Sequence, residues 1–203
     1  MPDAHPQLLS PSSISGAWRI DADGEIRLVE DGLFMHAEGR RSGLAVLAGK
    51  RLLAAYGPRH KVEIGAYVVR GEQLSGLWIP PDARGADVSI CGRELSKKTG
   101  EHAWTITQAH AIDQSAYTGT LALELVQPGT DRTPGVARFH WALHDGEYHS
   151  FGLVFPDALV STFCFEAGAA HRIAAYSPTA GGWSGWTLDN ETLTLRAETL
   201  VRP

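Results

Sequence analysis

The chain has 203 residues, 43% hydrophobic and 20% charged, with 22 glycines and 11 prolines, a composition that supports a folded core interrupted by many turns. Its formal net charge is −5 and its longest basic runs are the pairs Arg40-Arg41 and Lys97-Lys98, which argues against nucleic acid as the main partner because phosphate neutralisation needs a concentrated basic face. Met1 to Pro11 lacks the basic and apolar segments of a secretory signal, and no apolar run approaches the roughly 20 residues of a membrane-spanning helix, so a cytoplasmic location without a membrane partner is expected.

In chain order, Leu8-Leu9-Ser10 reads as a short helical turn ahead of a first strand opened by Gly16-Ala17-Trp18. Asp23-Gly24 and Asp31-Gly32 suit the φ > 0 positions of hairpin turns. Val62, Ile64, Ala66 and Val68 alternate with period two, which places them on one face of a strand. A second helical turn is expected at Ser96-Lys97-Lys98, within a polar stretch that continues to His102. Leu121, Leu123 and Leu125 repeat the strand pattern, as do Leu193, Leu195 and Ala197, with Asp145-Gly146 and Gly181-Gly182 as intervening turns. The two cysteines, Cys91 and Cys164, lie in strand-like contexts and read as small buried apolar groups rather than a disulfide.

The chain also repeats itself. Ser42–Val46 corresponds to Phe151–Phe155, Leu52–Tyr56 to Leu159–Phe163, Ile64–Tyr67 to Ile173–Tyr176, and Leu74–Trp78 to Trp183–Thr187. Four blocks in one order at a nearly constant offset point to duplication, and two copies are too few for a solenoid or propeller. The expected fold is therefore all-β: two tandem related antiparallel β-meanders, residues 1–98 and 99–203, each a barrel or half-barrel. Closure is the natural solution because an open sheet edge invites unwanted pairing.

The Gly16-Ala17-Trp18 opening resembles the Gly-x-Trp start of lipocalins, and the consecutive meander is similar to lipocalin and avidin-like (calycin) barrels. The second half departs from this, with Gly119-Thr120-Leu121 in place of the tryptophan motif. The resemblance implies a barrel mouth that holds a small apolar molecule.

Aromatic residues retained in both copies, Tyr67 with Tyr176 and Trp78 with Trp186, are candidate cavity-lining residues together with Trp141. The competing expectation is that they plug the barrels, since each buried aromatic contributes roughly 2–3 kcal/mol. The most distinctive unrepeated stretch is Phe139–His149. With Asp145-Gly146 as a two-residue turn, His144 pairs with Glu147 and Ala142 with His149, so His140, His144, Glu147 and His149 share one face. Of the four, His144, Glu147 and His149 are close enough to converge on a metal or to supply a proton donor and acceptor, while His140 is too far from His144 to join them; a solvated surface is the leading expectation for that face, ahead of acid–base work and ahead of a metal. No metal and no cofactor is expected. Glu94 and Glu198 close the two repeats, where an ion pair with Arg19, Arg93 or Arg196 is expected over catalysis.

No phosphate loop, zinc spacing, nucleophile elbow or dinucleotide fingerprint is present. The leading functional expectation is a barrel that encloses a small apolar molecule. One alternative is a cofactor-free cyclase or isomerase that folds a flexible apolar substrate by positioning. Another is an assembly module with Trp183 and Trp186 as an exposed patch. A homo-oligomer is left open, as is whether the halves form two barrels or one.

Overall fold

The computed structural model describes residues 7–8, 16–20, 26–30, 34–37, 41–48, 50–58, 61–81 and 91–202. All regular elements among them are strands: β1 (Gln7–Leu8), β2 (Gly16–Ile20), β3 (Ile26–Glu30), β4 (Phe34–Ala37), β5 (Arg41–Ala48), β6 (Arg51–Pro58), β7 (Val62–Arg70), β8 (Gln73–Ile79) and β9 (Gly92–Gly100). The second half supplies β10 (Ala103–His110), β11 (Ala116–Gln127), β12 (Gly135–Leu143), β13 (Gly146–Val154), β14 (Ala158–Cys164), β15 (Arg172–Thr179), β16 (Gly182–Asp189) and β17 (Leu195–Val201). The helical turn expected at Ser96-Lys97-Lys98 lies inside β9 instead, and Leu8 belongs to β1. Leu9, Ser10 and the turns at Asp23-Gly24 and Asp31-Gly32 lie outside the described residues.

Eight antiparallel strands close a barrel in the order β10-β11-β12-β13-β14-β7-β8-β9. The remaining strands form a separate antiparallel sheet in the order β1-β5-β4-β3-β2-β17-β16-β15-β6, in which β5 also pairs with β6. Two similar barrels in tandem, one from each half, are therefore not what the chain builds. The closed barrel takes β7, β8 and most of β9 from the first half and five strands from the second. The boundary expected at residues 98 and 99 falls within β9, whose ladder with β10 sets Trp104 opposite Lys98.

The crossing happens after β6. β7 does not pair with the strand it follows but with β14, setting Ala66 opposite Val160, while β6 pairs with β15, setting Ala54 opposite Ala174. The apolar stripe read from the sequence explains why this arrangement holds. Val62, Ile64, Ala66 and Val68 face outward from the barrel wall, into a core shared with Leu44, Val46, Leu53 and Ala55 of the sheet and with Val160 and Ile173. Each large aliphatic side chain removed from water there contributes roughly 1.5–3 kcal/mol. The opposite face of β7 turns Tyr67 inward, so the strand is buried on both sides. Arg51 of β6 fastens the two units at their surface: its Nε donates to Asp157 Oδ1 at 2.9 Å, its Nη1 donates to Ser177 Oγ at 3.1 Å, and its guanidinium lies 4.1 Å from the centre of the Phe155 ring. Cys91 is buried in the shared core and Cys164 packs against it.

Two expected turns slip by one residue. Gly146 pairs with Leu143 and Gly182 with Thr179, so His144-Asp145 and Ala180-Gly181 make the bends. A one-residue slip changes which cross-strand partners meet, and it matters for the histidines described below.

Candidate functional site

One end of the barrel opens into a cavity of about 250 Å³. Its wall is built where strands start or stop: Glu63 at the start of β7, Trp78 near the end of β8, Tyr117 at the start of β11, Trp141 and Leu143 at the end of β12, and Phe163 near the end of β14. The rim is the 111–115 loop, the His144-Asp145 turn and Tyr148. In that loop Asp113 Oδ1 accepts from both the backbone N–H and the hydroxyl of Ser115, at 3.0 and 2.6 Å. Those bonds hold the Asp113 carboxyl below the usual range.

The aromatic rings pack edge-on and tilted, an arrangement that suits their quadrupoles. Trp78 stands 5.1 Å from Trp141 and 5.5 Å from Phe163 between ring centres, and 5.9 Å from Tyr67 at 89°. Phe139 stacks on Trp141 at 5.6 Å. Glycine makes this crowding possible. A Cβ on Gly65 would lie 2.7 Å from both Trp78 and Ser161 Oγ, and one on Gly76 would run into the Tyr67 ring.

Behind this cup the barrel interior holds a small polar group among apolar side chains such as Leu74, Leu121 and Leu159. Glu94 is fully buried and accepts from Ser96 Oγ at 2.9 Å and from the Tyr117 hydroxyl at 3.1 Å. Burial pushes the Glu94 carboxyl up, opposed by those hydrogen bonds. The Tyr117 hydroxyl is pushed far up by burial and then by Glu94. Tyr67 is raised for the same two reasons in the same order. Glu63, at the mouth, is pushed up to about 7 by burial, so near neutral pH it can both hold and release a proton.

Five further polar atoms inside the barrel have no hydrogen-bond partner within the protein: the Tyr67 hydroxyl, the indole Nε1 atoms of Trp104 and Trp141, and the hydroxyls of Ser150 and Ser161. The Tyr67 hydroxyl sits close enough to Trp141 and Glu94 to feel both, yet misses hydrogen-bond geometry with either. A buried polar group left unsatisfied costs about 1–3 kcal/mol, and native interiors hold few of them. Tyr67 and Trp141 belong to the aromatic cup, and Ser161 Oγ and Trp78 both crowd Gly65 beside it, which marks this end of the barrel as the candidate site.

Of the aromatic candidates, Tyr67, Trp78 and Trp141 come together here. Tyr176 and Trp186 lie in the other sheet. The Tyr176 hydroxyl donates to Glu198 Oε1 at 2.8 Å, and Trp186 is half-buried on a polar groove of about 880 Å³ that also contains Arg51 and the 130–134 loop. Trp183 packs against the sheet's own core beside Leu52 and Tyr176.

The histidine stretch divides. His140 stands directly opposite His149, and Ala142 opposite Glu147. Their side chains gather on the outer wall of the barrel, opposite to the face that carries Phe139 and Trp141. His144 sits in the turn and lines the cavity rim with Asp145. The trio that gathers is therefore His140, Glu147 and His149, with His140 in the place expected for His144.

Glu63 and Glu94 are the interior groups that the sequence reading did not place. Glu94 was expected to meet an arginine, and its partners are instead Ser96 and Tyr117. The alternation of Glu63 with Gly65 and Tyr67, opposite the Val62–Val68 stripe, is the pattern that points Glu63 inward once both faces of β7 are covered.

No family model, no curated protein and no solved structure matches the chain. The closed barrel has eight antiparallel strands, but β2, which carries Gly16-Ala17-Trp18, lies in the other sheet, and no family match identifies the chain as a calycin.

Proposed function

We propose that the barrel binds a small, mostly apolar molecule bearing at least one oxygen acceptor. The observation that carries this reading is the set of unpartnered donors, above all the Tyr67 hydroxyl and the Trp141 Nε1–H, within the aromatic cup formed with Trp78 and Phe163. An apolar body is recognised by the ring faces, and its oxygen takes up donors that otherwise remain unsatisfied. The cavity of about 250 Å³ is just below the roughly 300–1,000 Å³ of drug-sized ligand sites, so the occupant is a compact one.

A second reading is favoured by one specific group. Glu63, poised near neutrality at the cavity wall, supplies a proton donor and acceptor beside a molecule held by Tyr67 and Trp141. That is sufficient for cofactor-free isomerisation or cyclisation of an enone or polyene, with the cup setting the substrate's shape. The assembly reading has less support, because Trp183 packs against the sheet core and Trp186 is half-buried.

The relation between the halves belongs to the same proposal. Advancing each strand of the order β2-β3-β4-β5-β6 by eight gives β10 to β14, and setting β15 to β17 back by eight gives β7 to β9. Tyr67 faces Gly76 across its ladder as Tyr176 faces Gly185, and each tyrosine has a glutamate nearby, Glu94 and Glu198 respectively. These parallels support a duplicated eight-strand unit whose last three strands were exchanged between copies.

The test is a titration of intrinsic tryptophan fluorescence with β-ionone, a compact apolar ring system with one carbonyl. Saturable quenching by the intact chain, weakened in Trp78→Ala, is expected. A linear response that is the same in both proteins would overturn the binding reading. Turnover of such an enone by the wild type but not by Glu63→Gln would select the enzyme reading over simple binding.

A further inference from the structure

We propose that His140, Glu147 and His149 form a binding site for one divalent transition-metal ion of the zinc class, on the outer wall of the barrel and separate from the cavity. His140 of β12 and His149 of β13 are direct cross-strand partners. Their imidazoles lie face to face, 4.5 Å between centres and 6° between planes. Both Nε2 atoms turn toward the same carboxylate oxygen, Glu147 Oε2, at 3.5 Å from His140 and 3.9 Å from His149. The three donor atoms all lie within 4.8 Å of one another.

Those separations suit coordination better than hydrogen bonding. A tetrahedral ion with bonds of about 2.0–2.1 Å holds its ligand atoms roughly 3.4 Å apart, so small side-chain rotations bring this set to bonding distance. The His140 Nε2 atom is shielded from solvent yet makes no hydrogen bond within the protein. Two imidazoles with one carboxylate are a borderline donor set that suits zinc, copper or nickel rather than calcium or magnesium.

The surroundings leave the site open for an ion. Its nearest neighbours across the ladders are small, Ala122 beside His140 and Ala142 beside Glu147. The adjacent cation on that face, Arg138, is taken up by Glu124 at 3.2 Å, and among the described residues no lysine or arginine pairs with Glu147. Three protein ligands leave a fourth position for water or for a donor from another molecule. An ion there would pin β12 to β13 close to the turn that carries His144 and Asp145 to the cavity rim.

The experiment is calorimetric titration of the intact, chelator-treated chain with zinc chloride, with cobalt(II) visible absorption as a second readout. One equivalent is expected to bind with a dissociation constant of about 10 µM or tighter, and the zinc-bound chain should show a raised melting temperature. His140→Gln and His149→Gln should each weaken binding by at least about tenfold, more than the loss of an outer-shell partner usually costs, and should abolish the cobalt band. His110→Gln, on an exposed histidine at the far end of β10 where it faces Ala116, should bind as the wild type does. Absence of binding by the wild type, or wild-type affinity in both the His140 and His149 variants, would overturn the proposal. None of these outcomes depends on whether the barrel holds an apolar ligand.

Discussion

Glu63→Gln removes the carboxyl at the barrel mouth with almost no change in volume, which makes it the sharpest probe of the site's electrostatics. In the unfolded chain this carboxyl ionises near 4.5, whereas in the fold burial delays ionisation to about 7. Between those values the folded state binds the proton and the unfolded state does not. Stability is therefore fully present below the unfolded value and is lost as pH rises through the folded one. At about 1.36 kcal/mol per pH unit, the interval corresponds to about 3 kcal/mol, and solvent reaching the half-buried carboxyl lowers the expectation to about 1–3 kcal/mol. Urea unfolding of wild type and Glu63→Gln at about pH 5 and about pH 8 measures it. Glu94 tilts the curve in the same direction in both proteins, so the difference between the two pH dependences isolates Glu63. The variant should lose the larger part of the decline and be the more stable protein at the higher pH. Equal declines in the two proteins would refute the claim that the Glu63 carboxyl is desolvated.

Two other substitutions test the packing and the unpartnered donors. Trp141→Ala removes a side chain that is 2% exposed and should cost about 3–5 kcal/mol in urea unfolding, whereas Trp186→Ala at the half-buried groove should cost about 1–2 kcal/mol; equal costs would contradict the placement of one in the core and the other at a rim. Tyr67→Phe deletes a hydroxyl with no partner in the protein, so the ligand-free variant should be the more stable protein by about 1–3 kcal/mol in urea unfolding while β-ionone affinity falls by roughly tenfold, one hydrogen bond's worth. A large loss of stability with unchanged affinity would show instead that the hydroxyl serves the fold.

Much of the strand content was legible because period-two alternation survives even where both faces are buried. Val62, Ile64, Ala66 and Val68 mark β7 without ambiguity. Which strand β7 would join was not legible, because alternation fixes the face a side chain takes and not the neighbour that covers it. The same limit explains the hairpin. Asp145-Gly146 is the stronger local turn signal, but the ladder that sets Trp141 against Tyr148 and Phe139 against Ser150 on the inner face decides the register. Ser96–Lys98 reads as a polar linker because Lys97 and Lys98 are exposed, although Ser96 itself turns inward to Glu94. In the site, Tyr67, Trp78 and Trp141 stood out as aromatics in strands. Glu63 and Glu94 did not, since a glutamate in an alternating strand is by default solvent-facing, and only the second covering layer reverses that expectation.

The two sides of the barrel wall carry two separate apolar cores, which explains how buried polar groups are compatible with a stable fold. Inside, Leu74, Ile106, Leu121, Phe139 and Leu159 pack around Tyr67 and Trp141. Outside, Val62, Ile64, Val160 and Leu153 of the barrel meet Leu44, Val46, Leu53 and Ile173 of the sheet. Each interior donor left unsatisfied costs about 1–3 kcal/mol, which the two cores together offset. Because β7 and β15 cross between the two units, that outer core forms only when barrel and sheet form together. Stability secured by both cores leaves room for a few tyrosine, indole and carboxyl groups among the inner side chains. A molecule that satisfies them then adds stability by mass action, in proportion to the logarithm of its concentration over its dissociation constant.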